Sequence, residues 1–193
     1  MCMWLRQDEI RVGDVIFGFF GDELQDEAIA DIQLGFDDER MNHCALVVSN
    51  TEVIEAVLSG VRRLSIDRFL RRHRRRGRIL VARPGRADLI AGSIAVAETF
   101  IGFAYNHKFV ASPGELYCSE LIVEAFEQAA GGEALFKQYD LMFAPEGEPV
   151  PEYWVEYYRK FDMNVPSGQG THPASLSYDD FFTERYWYLE EAK

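Results

Sequence analysis

Apolar residues cluster in short strand-like runs through the first half of the chain and recur at helical spacing through the second. Val15, Ile16 and Phe17 follow Gly13 and Asp14, which reads as a turn entering a buried strand that ends near Phe20. Leu24 to Ile32 has helix-like spacing in an acidic segment, and Gly35 to Arg40 reads as a loop. The run from His43 to Val48 predicts a second strand, Ser49, Asn50 and Thr51 a turn, and Glu52 to Val57 the strand that returns as a β-hairpin. After Ser59 and Gly60 comes a short strand through Leu64; Ser65 is placed to cap a helix from Ile66 to Arg72, and Arg78 to Arg83 returns as a strand ending at Pro84.

From Ala87 onward the helical period dominates. Helices are expected over Ala87 to Phe100, over Ser119 to Ala130 with Gly131 and Gly132 as the stop, and over Pro151 to Lys160. Asn164 to Ser177, rich in Pro, Ser, Gly and Thr, reads as a loop, and Glu184 to Glu191 alternates like a final strand. Strands grouped before helices predict an α+β fold with an antiparallel sheet, and the chain length suits a single domain over residues 1–193.

Composition narrows the class. No apolar run approaches the ~18 residues that span a bilayer, and Met1 to Arg6 followed by Gln7, Asp8 and Glu9 is no export signal, so the expectation is a soluble, cytoplasmic protein without a transmembrane segment. Cys2, Cys44 and Cys118 cannot all pair with one another, and no Cys-x-x-Cys or Cys/His cluster occurs, which points to a reducing compartment, no zinc and no cofactor. The net charge of −12 hides a division: Arg62 to Arg86 carries eleven arginines against Asp67 alone. Such a patch can meet phosphates, but it lacks the aromatic interleaving of single-strand binders. The arginines are expected on the outer face of a short helix, paired with the acidic remainder, and no nucleic-acid partner is expected.

Three residues could carry chemistry. Cys118 stands at the start of a helix with apolar positions Leu121, Ile122, Ala125 and Ala129, where unpaired backbone N–H groups stabilise a thiolate and can hold an oxyanion. A small buried core cysteine is the bland alternative. His43 opens a strand and could project from a sheet edge toward that helix; His73, His107 and His172 have no comparable mount. If the hairpin turn is Ser49, Asn50 and Thr51, Ala45 lies opposite Glu55, so Glu55 is the diagonal neighbour of His43 on the same face and can orient its imidazole. A two-residue turn would place the two on opposite faces. Cys44 must point away from the His43 face, into the core, and Cys2 belongs to the terminus.

Taken in order, these blocks resemble the permuted branch of the NlpC/P60 papain-like superfamily, the group of YiiX-type proteins. Gly13 to Phe17 is similar to its opening strand, Asn42 to Val47 to its histidine strand, Val53 to Ala56 to its polar-residue strand, Tyr105 to Phe109 to its Tyr-Asp-x-x-Phe element, Tyr117 to Leu121 to its nucleophile motif, and Thr171 to Pro173 to its Thr-Pro element. Asn106 replaces the usual Asp, and His172 is inserted before Pro173. The resemblance implies a circularly permuted papain-like fold with an antiparallel barrel-like sheet packed against helices. It implies Cys118 as nucleophile, His43 as base and Glu55 as orienter, with Tyr105, Tyr117 and Thr171 at the substrate pocket. The activity implied is thiol hydrolysis of an amide in a small peptide, amino-acid amide or acyl substrate. Two alternatives stand beside it: an acyltransferase or lipase resembling the lecithin retinol acyltransferase branch, and a non-catalytic module binding anions through Arg71 to Arg78.

Overall fold

The computed structural model describes residues 3–72 and 77–189. In chain order it contains β1 (Met3–Leu5), β2 (Val15–Gly18), α1 (Leu24–Ala30), β3 (His43–Val47), β4 (Glu52–Val57), β5 (Gly60–Ser65), α2 (Ile66–Leu70), β6 (Leu80–Pro84) and α3 (Ile90–Thr99). There follow β7 (Ala104–Tyr105), β8 (Glu115–Leu116), α4 (Cys118–Ala129), β9 (Tyr139–Asp140), α5 (Glu152–Arg159), β10 (Gln169–Gly170), α6 (Pro173–Ser177) and β11 (Phe182–Tyr188).

The main sheet has the order β1-β11-β6-β2-β3-β4-β5. Its central strands are apolar on both faces because both faces are covered. On one face Cys44, Leu46, Ile54 and Ala56 pack with α4, whose Leu121, Ile122, Ala125 and Phe126 form one buried stripe. On the other face Ala45, Val47 and Val53 pack against Ile66, Phe69 and Leu70 of α2. Ser65 caps that short helix by accepting a hydrogen bond from the Arg68 N–H, 3.3 Å away. Helix α3 lies on α4 where Gly92 faces Ala129: a Cβ at residue 92 would stand 3.1 Å from the Ala129 Cβ, so only glycine admits this approach without adjustment. Trp154 and Tyr158 of α5 anchor the remaining wall in a cluster with Phe109 and Phe143.

Four expectations are corrected. The sheet is not closed into a barrel: β1 and β5 are its two edges. It is not wholly antiparallel, since β1 runs parallel to β11, with Trp4 paired to Trp187, where the sequence suggested no strand. Residues within 164–177 are not all loop: His172 caps α6 with Pro173 at its first position, where a missing N–H costs nothing. The last strand starts at Phe182 and not at Glu184, because Phe182 is needed in the core, where its ring meets Phe17 edge-on. The arginine-rich segment does pair with acidic residues, Arg63 with Glu98 and Arg78 with Glu39 among them, while Arg74 to Arg76 and Cys2 lie outside the described residues.

Candidate active site

The hairpin turn fixes the geometry. Leu46 pairs with Ile54 and Val47 with Val53, and the Val48 N–H donates to the Glu52 carbonyl at 2.9 Å, so Ser49, Asn50 and Thr51 form the turn. That register carries His43 and Glu55 to one face of the sheet. His43 Nε2 and Glu55 Oε2 are 2.7 Å apart, leaving Nδ1 as the ring nitrogen that Glu55 does not engage. Phe20 and Phe69 pack together against the imidazole, their centroids 5.7 and 5.9 Å from its own and 4.6 Å from each other. His43 does not lie on a sheet edge as the sequence suggested: β3 runs between β2 and β4, and His43 is its first residue, paired with Gly18. The end of the strand, not the edge of the sheet, gives the imidazole its access.

Glu55 has no solvent exposure, and an isolated carboxylate there would be costly. Its Oε1 accepts from Arg62 Nε at 3.0 Å and from Arg72 Nη1, while Oε2 faces His43. Burial alone would raise the Glu55 pKa, but His43 and Arg72 outweigh it and bring it to about 2. Glu55 is therefore an anion at any physiological pH. Burial would likewise lower the His43 pKa, yet contacts with Cys118 and Glu55 carry it up to about 9.

Cys118 opens α4, with Tyr117 as the residue that caps it, and is buried within the stripe that faces β3. Its Sγ lies 3.8 Å from the Asn42 carbonyl. Cys44, on the opposite face of β3 from His43, points into the same core. The Cys118 pKa is held well below the ordinary thiol range, first by the Cys44 thiol and, against burial, by His43. Cys118 and His43 thus favour a thiolate–imidazolium pair. Asn42 locks the approach to β3: its side chain accepts from the Phe20 N–H at 2.9 Å and donates to the carbonyls of Phe20 and Asp26.

The pocket residues named from the sequence gather around this pair. The Tyr117 hydroxyl accepts from the Thr171 N–H at 2.9 Å, and Thr171 Oγ1 donates to Ser119 Oγ at 2.9 Å, tying the 171 loop to the first turn of α4. Tyr105 lies between two cavities. One, of about 360 Å³, is lined by Phe20, Asp26, His43, Arg71 and Arg72; the other, a slot of about 30 Å³, is lined by Cys118, Leu141, Met142, Phe143, Trp154 and Thr171. Asn106 is fully buried, donating to the Val110 carbonyl and to Glu120, and shapes the loop rather than the pocket surface. His172 caps α6 through Nδ1 and donates through Nε2 to the Ile29 carbonyl; burial lowers its pKa to about 4, so it is neutral. His73 lies outside the described residues.

Sequence reasoning missed the two arginines on Glu55, the proximity of Cys44 to Cys118, and the apolar slot. A signal existed for Arg62, which pairs across β4–β5 with Glu55. Arg72 reaches in from beyond α2, and the slot is assembled from segments far apart in the chain, so no local spacing announces either.

A cysteine-led helix packed on a sheet whose histidine strand comes earlier in the chain is a papain-like layout in permuted order. Residues 9–179 match the family described as permuted papain-like amidase enzyme, YaeF/YiiX, C92 family, and the chain belongs to that family. The fold is similar to that of the metalloprotein YiiX from Escherichia coli O157:H7, with a TM-score of 0.71 and 18% identity over 96% of this chain and 99% of that one. No curated protein matches the chain. Among the described residues, no group of three or more His, Cys, Asp or Glu is arranged to hold a metal ion, and no helix is long and apolar enough to cross a membrane.

Proposed function

We propose that this permuted papain-like amidase is a thiol hydrolase that cleaves amide bonds through Cys118, His43 and Glu55. The observation that carries the reading is the fully buried Glu55 on the histidine Nε2, which leaves Nδ1 for the sulfur of a cysteine at a helix N-terminus. The Cys118 thiolate attacks the amide carbonyl, and the first backbone N–H groups of α4 receive the oxyanion. His43 gives its proton to the nitrogen as the C–N bond breaks, and the amine leaves. Water then attacks the thioester with His43 as base; the C–S bond breaks, the acid departs, and the thiolate–imidazolium pair is restored. Glu55 keeps the tautomer and supports the imidazolium throughout.

The binding-module reading is weaker because two of its cations are already engaged: Arg72 on Glu55, and Arg78 on Glu39 and Asp37. The test is mass spectrometry of the chain quenched during turnover of a panel of aryl amides and thioesters. The expected result is an acyl adduct on Cys118 that decays in water and is absent from Cys118→Ala. Turnover that survives Cys118→Ala would overturn the assignment, and an adduct that decays only when an amine or alcohol is added would make the protein a transferase.

A further inference from the structure

The two cavities differ in chemistry and meet at Tyr105 and Ile29. Asn42 and His43 line the larger, while Cys118 lines the slot, which is mostly apolar through Leu141, Met142, Phe143 and Trp154, with Asp140 and Thr171 among its polar members. Resting on the thiol-hydrolase reading, this arrangement sorts the two halves of a substrate. The acyl half stays bonded to Cys118, and the amine half must receive its proton from His43, so each half lies in the cavity of the residue that handles it. We propose that the substrate is an amide joining a short apolar acyl group, held in the slot, to an amine with an anionic group, held in the larger cavity by Arg71.

The slot is small, about 30 Å³, and suits a short acyl chain. In the larger cavity the charges are unequally available. Arg72 is occupied by Glu55, the Asp26 carboxylate accepts from the Glu23 N–H at 3.0 Å, and Glu23 is a second acidic residue in the lining, so Arg71 is the cation left to oppose them. Arg71 is exposed; its backbone N–H donates to the Asp67 carbonyl, and its side chain has no hydrogen bond or ion pair among the described residues. A carboxylate or a phosphate on the amine would satisfy it equally well.

N-substituted iodoacetamides test the amine half, because their nitrogen substituent extends to the leaving-group side while the reactive carbon alkylates Cys118. Intact-mass rates are compared for propyl, carboxyethyl and phosphonoethyl reagents on the native chain and on Arg71→Gln. The expected result is an anionic reagent faster than the propyl one by roughly fivefold, as for a partly exposed ion pair, with the ratio near one in Arg71→Gln. Whichever anion is faster identifies the group. For the acyl half, butanal is expected to protect Cys118 from iodoacetamide as a reversible thiohemiacetal, and glyceraldehyde is not. A propyl reagent as fast as the anionic ones, an anionic advantage that survives Arg71→Gln, or equal protection by the two aldehydes overturns the division of the cleft. A Cys118 inert to every reagent, unsubstituted iodoacetamide included, overturns the thiol reading itself and the division with it.

Discussion

Glu55→Gln isolates the charge of the residue that holds His43. Gln keeps the shape and a polar contact to the imidazole but removes the anion. Raising the His43 pKa from 6.5 to about 9 corresponds to about 3 kcal/mol in favour of the imidazolium. Cys118 and Glu55 share that effect. With half of it assigned to Glu55, the substitution should lower the His43 titration by about one pH unit, observable in imidazole NMR shifts. Arg62 and Arg72 also lose their anion, but with side chains 40% and 30% exposed they can turn to water, so the stability loss at pH 7 is expected near 2–3 kcal/mol, below that of a fully buried broken pair. The sign against pH follows from the depressed pKa. Glu55 contributes stability above its unfolded value of 4.5 and loses it as pH falls through about 2, so Glu55→Gln should lack this acid limb in urea titrations between pH 5 and 2. An unmoved His43 titration together with stability within about 0.5 kcal/mol of native would refute the orienting role.

Three further outcomes are expected. His172 has a folded pKa of about 4, below 6.5, so the unfolded chain protonates first and stability falls between those values; His172→Asn, which keeps a capping side chain, should flatten that slope in urea midpoints taken at pH 7, 5.5 and 4. Gly60 has φ +101°, and a Cβ there would sit 2.5 Å from the Phe103 carbonyl oxygen, so Gly60→Ala should lower thermal stability by about 2 kcal/mol or more. Arg83→Met leaves Asp14, 1% exposed, without the guanidinium that meets both its oxygens at 2.9 Å; a loss of about 3–5 kcal/mol by denaturant titration is expected.

The hairpin was legible because Ser49, Asn50 and Thr51 leave few registers, and the observed pairing of Val47 with Val53 places Glu55 on the His43 face. Glu55 itself stands out as a carboxylate inside Val53, Ile54 and Ala56. The start of α4 was legible from its apolar stripe. Strand β1 was not: three residues are too short for a period-2 signal, and Met3 and Trp4 stay exposed, so its pairing to β11 depends on the rest of the sheet. Helix α6 was hidden by Pro173, read as a loop former although a proline suits the first helical position. The slot beside Cys118 joins residues 141–143 to Trp154 and Thr171, a juxtaposition that exists only after packing.

The proposed hydrolysis depends on His43 holding Cys118 as a reactive thiolate. Its most direct test is the pH dependence of Cys118 alkylation by iodoacetamide, followed by mass spectrometry in the native chain and in His43→Ala. The native thiol is expected to react well below about 8.5, the ordinary cysteine value, with a profile displaced upward by a pH unit or more in His43→Ala. Identical profiles in the two proteins, or a native Cys118 that reacts only like an ordinary thiol, would contradict it.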